Sequence, residues 1–165
     1  NGQTWIGINT HRANSIALEA IKIGIIIELQ GYDTIQTEVN YGQNSRIDFL
    51  LQREHQKCYV EVKSVTLLLQ GDYQFPDAVT QRGLKHTREL IQVKKQGSRA
   101  VLLFIIQRTD GNLFRPAVDI DPAYAQSLKE AWEQGVEILP YLTTFSSQEI
   151  KVTKKIEFQL ISEEK

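Results

Sequence analysis

Ser45-Arg46-Ile47-Asp48-Phe49-Leu50-Leu51 and, after a short polar break, Cys58-Tyr59-Val60-Glu61-Val62-Lys63-Ser64-Val65-Thr66 decide the fold class of this chain. Both stretches read as strands, whose successive side chains point to opposite faces. In the first, Ile47, Phe49 and Leu51 point one way and Asp48 the other. In the second, Cys58, Val60 and Val62 oppose Tyr59, Glu61 and Lys63. A hairpin turning at Glu54 and His55 sets Asp48 across from Glu61. Opposed residues share a face, with Cβ atoms about 4.5–5.5 Å apart. Two carboxylates so close repel unless a cation lies between them. A hard divalent ion, Mg2+ or Mn2+, suits two carboxylates and several retained waters. Asp48 and Glu61 are therefore candidate metal ligands. Lys63, two residues on, stands beside the metal's waters and any phosphate they meet. These are the parts that phosphodiester hydrolysis needs. The competing reading is a surface charge cluster in which Lys63 neutralises the acids.

Working outward, Asn14 or Ser15 is placed to cap a first helix running to about Gly24. Thr34–Tyr41 forms a further strand before the hairpin. A loop holding Gly71 and Pro76 leads into a helix from about Val79 to Gln96, which Gly97 stops. Ala100–Ile106 is continuously apolar, as a central strand covered on both faces must be. Asp121-Pro122 starts another helix, with Tyr124, Leu128, Ala131 and Trp132 turned inward and Gly135 at its end. Val136–Leu142 and Ile150–Ile161 complete the strands. The order α-β-β-β-α-β-α-β-β predicts an α/β fold, a restriction-endonuclease-like mixed sheet flanked by helices with an α-β-β-β-α-β core. Its 165 residues fit one domain, with no repeat or linker inside it.

Composition narrows the function. Hydrophobic residues make up 41% of the chain and charged ones 24%, a globular balance. The apolar runs at 25–27 and 100–106 are far short of the roughly 20 residues a bilayer needs, and residues 1–9 lack the pattern of a leader. The single cysteine, Cys58, forms no internal disulfide, which predicts a reducing cytoplasm. With His11, His55 and His86 scattered, no zinc-ligand spacing assembles. A net charge of -1 is unlike a bulk nucleic-acid binder, yet Arg82, Lys85, Arg88, Lys94, Lys95 and Arg99 face only Glu89 within one stretch. Arg82, Lys85, His86 and Arg88 are the candidate DNA contacts, and the alternative is a solvated helix face. Glu19, on the first helix, is a further candidate catalytic acid or else an exposed helix glutamate. Phe75-Pro76-Asp77 reads as a loop able to gate the site.

The two strand motifs resemble the sugar fermentation stimulation protein family. So do Phe75-Pro76-Asp77-Ala78-Val79-Thr80, Arg82-Gly83 with Lys85-His86, the run from Gly97 to Gln107, Ile120-Asp121-Pro122 and Gly135-Val136-Glu137. The resemblance covers nearly the whole chain. It implies a bacterial or archaeal DNA-binding protein tied to the regulation of sugar (maltose) metabolism genes. It also implies a nuclease-like domain preceded by a small OB-type β-barrel outside this chain, in keeping with the lack of any methionine. The family's acid and lysine positions fall on Glu19, Asp48, Glu61 and Lys63. Ala13 stands where the family usually has proline, which bears only on the helix entry. Three functions follow as expectations: a DNA-binding regulator, an Mg2+- or Mn2+-dependent DNA endonuclease, or an interaction domain whose acids are charge-balanced. The partners expected are DNA and a second copy of the chain, with no membrane.

Overall fold

The computed structural model describes residues 11–146 and 149–161; the leader-free reading of residues 1–9 concerns residues outside that set. Helix α1 (His11–Lys22) precedes strands β1 (Thr34–Tyr41), β2 (Ser45–Arg53), β3 (Gln56–Val65), β4 (Leu67–Leu69) and β5 (Asp72–Phe75). Then come α2 (Gln81–Lys95), β6 (Arg99–Ile106), β7 (Phe114–Pro116), α3 (Pro122–Glu133), β8 (Glu137–Phe145) and β9 (Ile150–Lys155).

Six strands form one mixed sheet in the order β1-β2-β3-β6-β8-β9. Strands β1, β2 and β3 are joined antiparallel, β3, β6 and β8 run parallel, and β9 returns antiparallel. Helices α2 and α3 are the crossovers that parallel neighbours require. Both faces are covered, so β6 is buried from Ala100 to Ile106. On one face, Ala13, Ile16, Ala17, Ala20 and Ile21 of α1 pack on Phe49, Val60, Val101 and Leu103. On the other, Leu90 of α2 and Tyr124 and Leu128 of α3 pack on Leu50, Leu102 and Phe104. The restriction-endonuclease-like mixed sheet read from the sequence is the fold found.

The details depart from expectation at five points. Residues 67–75, read as loop, form β4 and β5, which join β7 in a small second sheet. Each of these strands is three or four residues long, too short for a periodicity, and they need partners from distant sequence. Asn14 lies inside α1 and is not its cap. Trp132 is 51% exposed; at the last turn of α3 its ring meets Phe158 edge-on at 6.5 Å. The last strand ends at Lys155, not Ile161, although Phe158 still bridges to Phe114. Ile47 packs in the α2–α3 layer, away from Phe49 and Leu51. Alternation breaks at Asp48: the β1–β2 ladder passes from Thr37↔Phe49 to Val39↔Ile47, and Glu38 between them has φ +56°. That break is where the site lies.

Candidate functional site

The hairpin register, Arg53↔Gln56 through Phe49↔Val60, turns at Glu54 and His55 as the alternation requires. Beyond Phe49↔Val60 the two strands part. Asp48 Oδ2 accepts the backbone N–H of Val62 at 2.7 Å, replacing the ladder bond a neighbouring strand would have made. Asp48 Oδ1 accepts the side-chain amide of Asn14 at 2.7 Å, so α1 is tied to the fork through a residue that sequence reading treated as a cap.

Glu61 is 4% exposed. Its Oε1 accepts from Lys63 Nζ at 2.7 Å and from His86 Nδ1 at 2.5 Å, while its Oε2 is buried with no hydrogen-bond partner. His86, expected to face phosphate, is 4% exposed and is spent on Glu61. It falls on the inward side of α2 with Gly83, Thr87 and Leu90, a spacing the sequence already carried. Thr80 caps that helix by accepting from the N–H of Gly83 at 2.9 Å, and its own N–H donates to Asp121.

The two acids differ electrostatically. Burial raises the Asp48 carboxyl and the Glu61 charge raises it further; the Val62 and Asn14 hydrogen bonds only partly offset this, leaving it above the ordinary aspartate value. Burial also opposes the Glu61 charge, but the His86 hydrogen bond and the Lys63 charge outweigh it, and Glu61 titrates below the ordinary glutamate value. One acid is thus held charged, and its charge bears on the other.

A cavity of about 370 Å3 occupies the fork, with Asn14, Asp48, Glu61, Lys63, Asp77 and Arg82 on its walls. Asp48 and Arg82 also line an adjoining hollow of about 620 Å3 that reaches Arg46 and Lys85. Arg82, Lys85 and Arg88 are exposed along α2, and Lys85 Nζ donates to the carbonyl of Gln43 at 2.7 Å. Arg99, counted with that basic stretch, is instead paired with Glu137 on the first residues of β6 and β8. Glu19 is not brought to the cavity; it is exposed and lies against Ile150, Lys151 and Val152 of β9. Asp77, with Phe75, lines the cavity from the loop expected to stand at the site. No group of three or more His, Cys, Asp or Glu side chains able to hold a metal is formed among the described residues. A cation here would rest on Asp48 and Glu61 with waters, an all-oxygen set suited to hard divalent ions. No helix among the described residues is long and apolar enough to cross a membrane.

A relative from Geotalea uraniireducens, a sugar fermentation stimulation protein homolog, is 51% identical over 156 residues, covering 94% of this chain and 68% of its own length. A homolog of the same name from Shewanella loihica is 54% identical over 157 residues, covering 94% and 67%. Among solved structures, SfsA of Pyrococcus furiosus in complex with Ca2+ superposes with a TM-score of 0.82 at 32% identity, over 91% of this chain and 65% of that one. The family model described as Sugar fermentation stimulation protein RE domain matches residues 11–149, and the chain belongs to the sugar fermentation stimulation protein family.

Proposed function

We propose that this domain binds DNA and that Asp48 and Glu61 hold a divalent cation, Mg2+ or Mn2+, at a site built for phosphodiester hydrolysis. The carrying observation is the buried Glu61 Oε2 without a partner, on the fork that Asp48 also lines. A buried carboxylate oxygen left unpaired is costly, and a cation is the partner that would relieve both it and the raised Asp48. The Ca2+ held by the P. furiosus relative supports a hard-cation site in this fold. When bound, such an ion supplies Lewis-acid polarisation of a phosphate and a more acidic water.

The chain's own residues have separable parts. Asn14 holds Asp48, and His86 holds Glu61. Lys63, with its side chain 12% exposed, is placed beside Glu61 at the cavity wall, where its ammonium can stabilise negative charge developing on a phosphate. Arg82, Lys85 and Arg88 offer cations to the DNA backbone leading into the cavity. This chain spans about two thirds of the length of its curated relatives. The OB-type barrel implied by the resemblance would add stacking surface and a basic groove, so the intact protein should bind DNA much more tightly.

Calorimetry with Mn2+ on the wild type and Asp48→Asn tests the cation site. Heat is expected for the wild type and none for the variant; equal heats, or none from either, would remove it. A second reading, a regulator of sugar (maltose) genes that binds DNA without cutting it, is favoured by the compensation of Glu61 Oε1 by Lys63 and His86. Plasmid nicking under Mg2+ or Mn2+ separates the two, since only the first reading produces it.

A further inference from the structure

Past the hairpin pairs, the outer edge of β3 faces the cavity and not a strand. On a strand, the N–H and C=O of one residue point to the same side, and successive residues point to opposite sides. Val62 sends its N–H towards β2, where Asp48 takes it, while the carbonyl of Val65 faces β6, where Gln107 N–H meets it at 2.9 Å. Ser64 shares the parity of Val62, so its backbone N–H is directed to the open fork. Ser64 also lines the cavity, with its side chain on the face of Val60 and Val62, across the strand edge from Lys63.

The Ser64 hydroxyl has a dedicated support. Gln107, at the end of β6, is fully buried, and its side-chain amide donates to Ser64 Oγ at 2.7 Å. The carbonyl oxygen of that amide is buried with no partner. An apolar residue of similar shape would close the strand end without burying an unpaired oxygen, so packing does not account for a glutamine here. What the glutamine does is fill the acceptor side of the serine oxygen, leaving its proton to be donated elsewhere. The direction open to that proton is the cavity that holds Lys63 and Arg82.

We propose that Ser64 is a phosphate-binding residue of this site: its hydroxyl and backbone N–H both donate to non-bridging oxygens of the phosphodiester beside Lys63, and Gln107 is the positioning residue that aims the hydroxyl. Two neutral donors beside an ammonium suit a phosphodiester, whose oxygens accept only. The inference rests on the nucleic-acid reading of the cavity and names the residue that seats the phosphate.

The test uses the full chain, a fluorescent DNA duplex and Ca2+, with binding read by anisotropy, Ca2+ affinity by calorimetry and folding by thermal melting. Ser64→Ala should weaken duplex binding about tenfold, as loss of a hydrogen bond to a charged group does, with Ca2+ affinity and melting unchanged. Ser64→Thr should restore binding. Gln107→Glu, which takes the serine proton for itself, should lose as much as Ser64→Ala. If the wild type binds the duplex and Ser64→Ala binds it equally well, the proposal is overturned. A Ser64→Ala variant that loses melting temperature together with affinity also overturns it, since the serine would then be structural. A wild type that binds neither Ca2+ nor duplex removes the cavity's nucleic-acid reading itself, a result distinguishable from the other two.

Discussion

Two polar clusters lie at different places on the main sheet, one around Arg99 at the start of β6 and one around Glu61 of β3. Arg99 donates through Nε and Nη2 to both carboxylate oxygens of Glu137 at 2.8 and 2.7 Å, through Nη1 to Tyr32 Oη at 2.8 Å, and through Nη2 to the Glu28 carbonyl at 3.0 Å. The carboxylate of Glu28 accepts from Tyr141 and Lys155. Beneath them the Cys58 thiol is buried and pushed up to about 11, which leaves it an inert filler. Around the fork, Glu61 has one oxygen satisfied twice and the other not at all, and Asp48 is raised by burial and by the Glu61 charge. The saturated cluster ties the first residues of β6 and β8 to the segment after α1. The unsaturated one opens into a cavity. Charged groups whose hydrogen bonds close on one another hold a fold together, whereas those left incomplete at a cavity mark a place for a ligand.

Substitutions at the two clusters should therefore separate activity from stability. The largest effect expected is at Lys63. Lys63→Ala should reduce Mg2+- or Mn2+-dependent nicking by about 10²–10³-fold, the usual loss for one transition-state contact, with duplex affinity within a few-fold. Plasmid nicking and anisotropy measured on the same preparation check this, and a parallel loss of affinity would make Lys63 a mere attractor. Arg99→Ala should do the reverse. Loss of its bonds to Glu137 and Tyr32 should lower stability by about 2 kcal/mol, or about 4–8 °C in melting temperature for a chain of this size. Cation binding should not change. Were Arg99→Ala to abolish Mn2+ heats in a folded protein, the contrast between the clusters would fail.

Smaller effects sharpen the comparison. Arg82→Ala and Lys85→Ala should each flatten the salt dependence of DNA binding by about one charge, seen as the slope of log affinity against log salt. An unchanged slope would take α2 out of the interface. The smallest effect concerns Glu28. Burial opposes its charge, but the hydrogen bonds from Lys155 and Tyr141 outweigh that and hold the carboxyl below its ordinary value. A carboxylate depressed by folding contributes stability that is complete above its unfolded value, about pH 4.3, and is lost as pH falls through the lower folded value. Glu28→Gln should therefore melt with a shallower acid-side slope than the wild type while the two keep a constant difference at neutral pH. Identical slopes would remove Glu28 from the lock.

Much of this was written locally. The alternation in Cys58–Thr66, the apolar run of Ala100–Ile106 and the Asp121-Pro122 start each became the element expected, because strand burial and helix capping act over a few residues. The hairpin register followed from the same alternation, but it stops one pair short of Asp48 and Glu61, which both line the cavity where the strands part. Other features needed contacts between elements formed far apart in sequence. Asn14 reaches Asp48 across 34 residues, His86 reaches Glu61 across 25, and Gln107 reaches Ser64 across 43. Glu19 and Asn14 share one helix, yet only the packing of that helix over the fork selects which of them meets the cavity. The sequence by itself determined the six strands of the main sheet, the three helices α1, α2 and α3, their order and the acid–lysine motif, since each depends on side chains within a turn or a strand of one another. Only the tertiary structure decided that the sheet parts at Asp48, that a histidine closes on one oxygen of Glu61, and that the other oxygen stays unpaired. Those outcomes depend on how finished elements pack, and no local pattern encodes the distance between two of them.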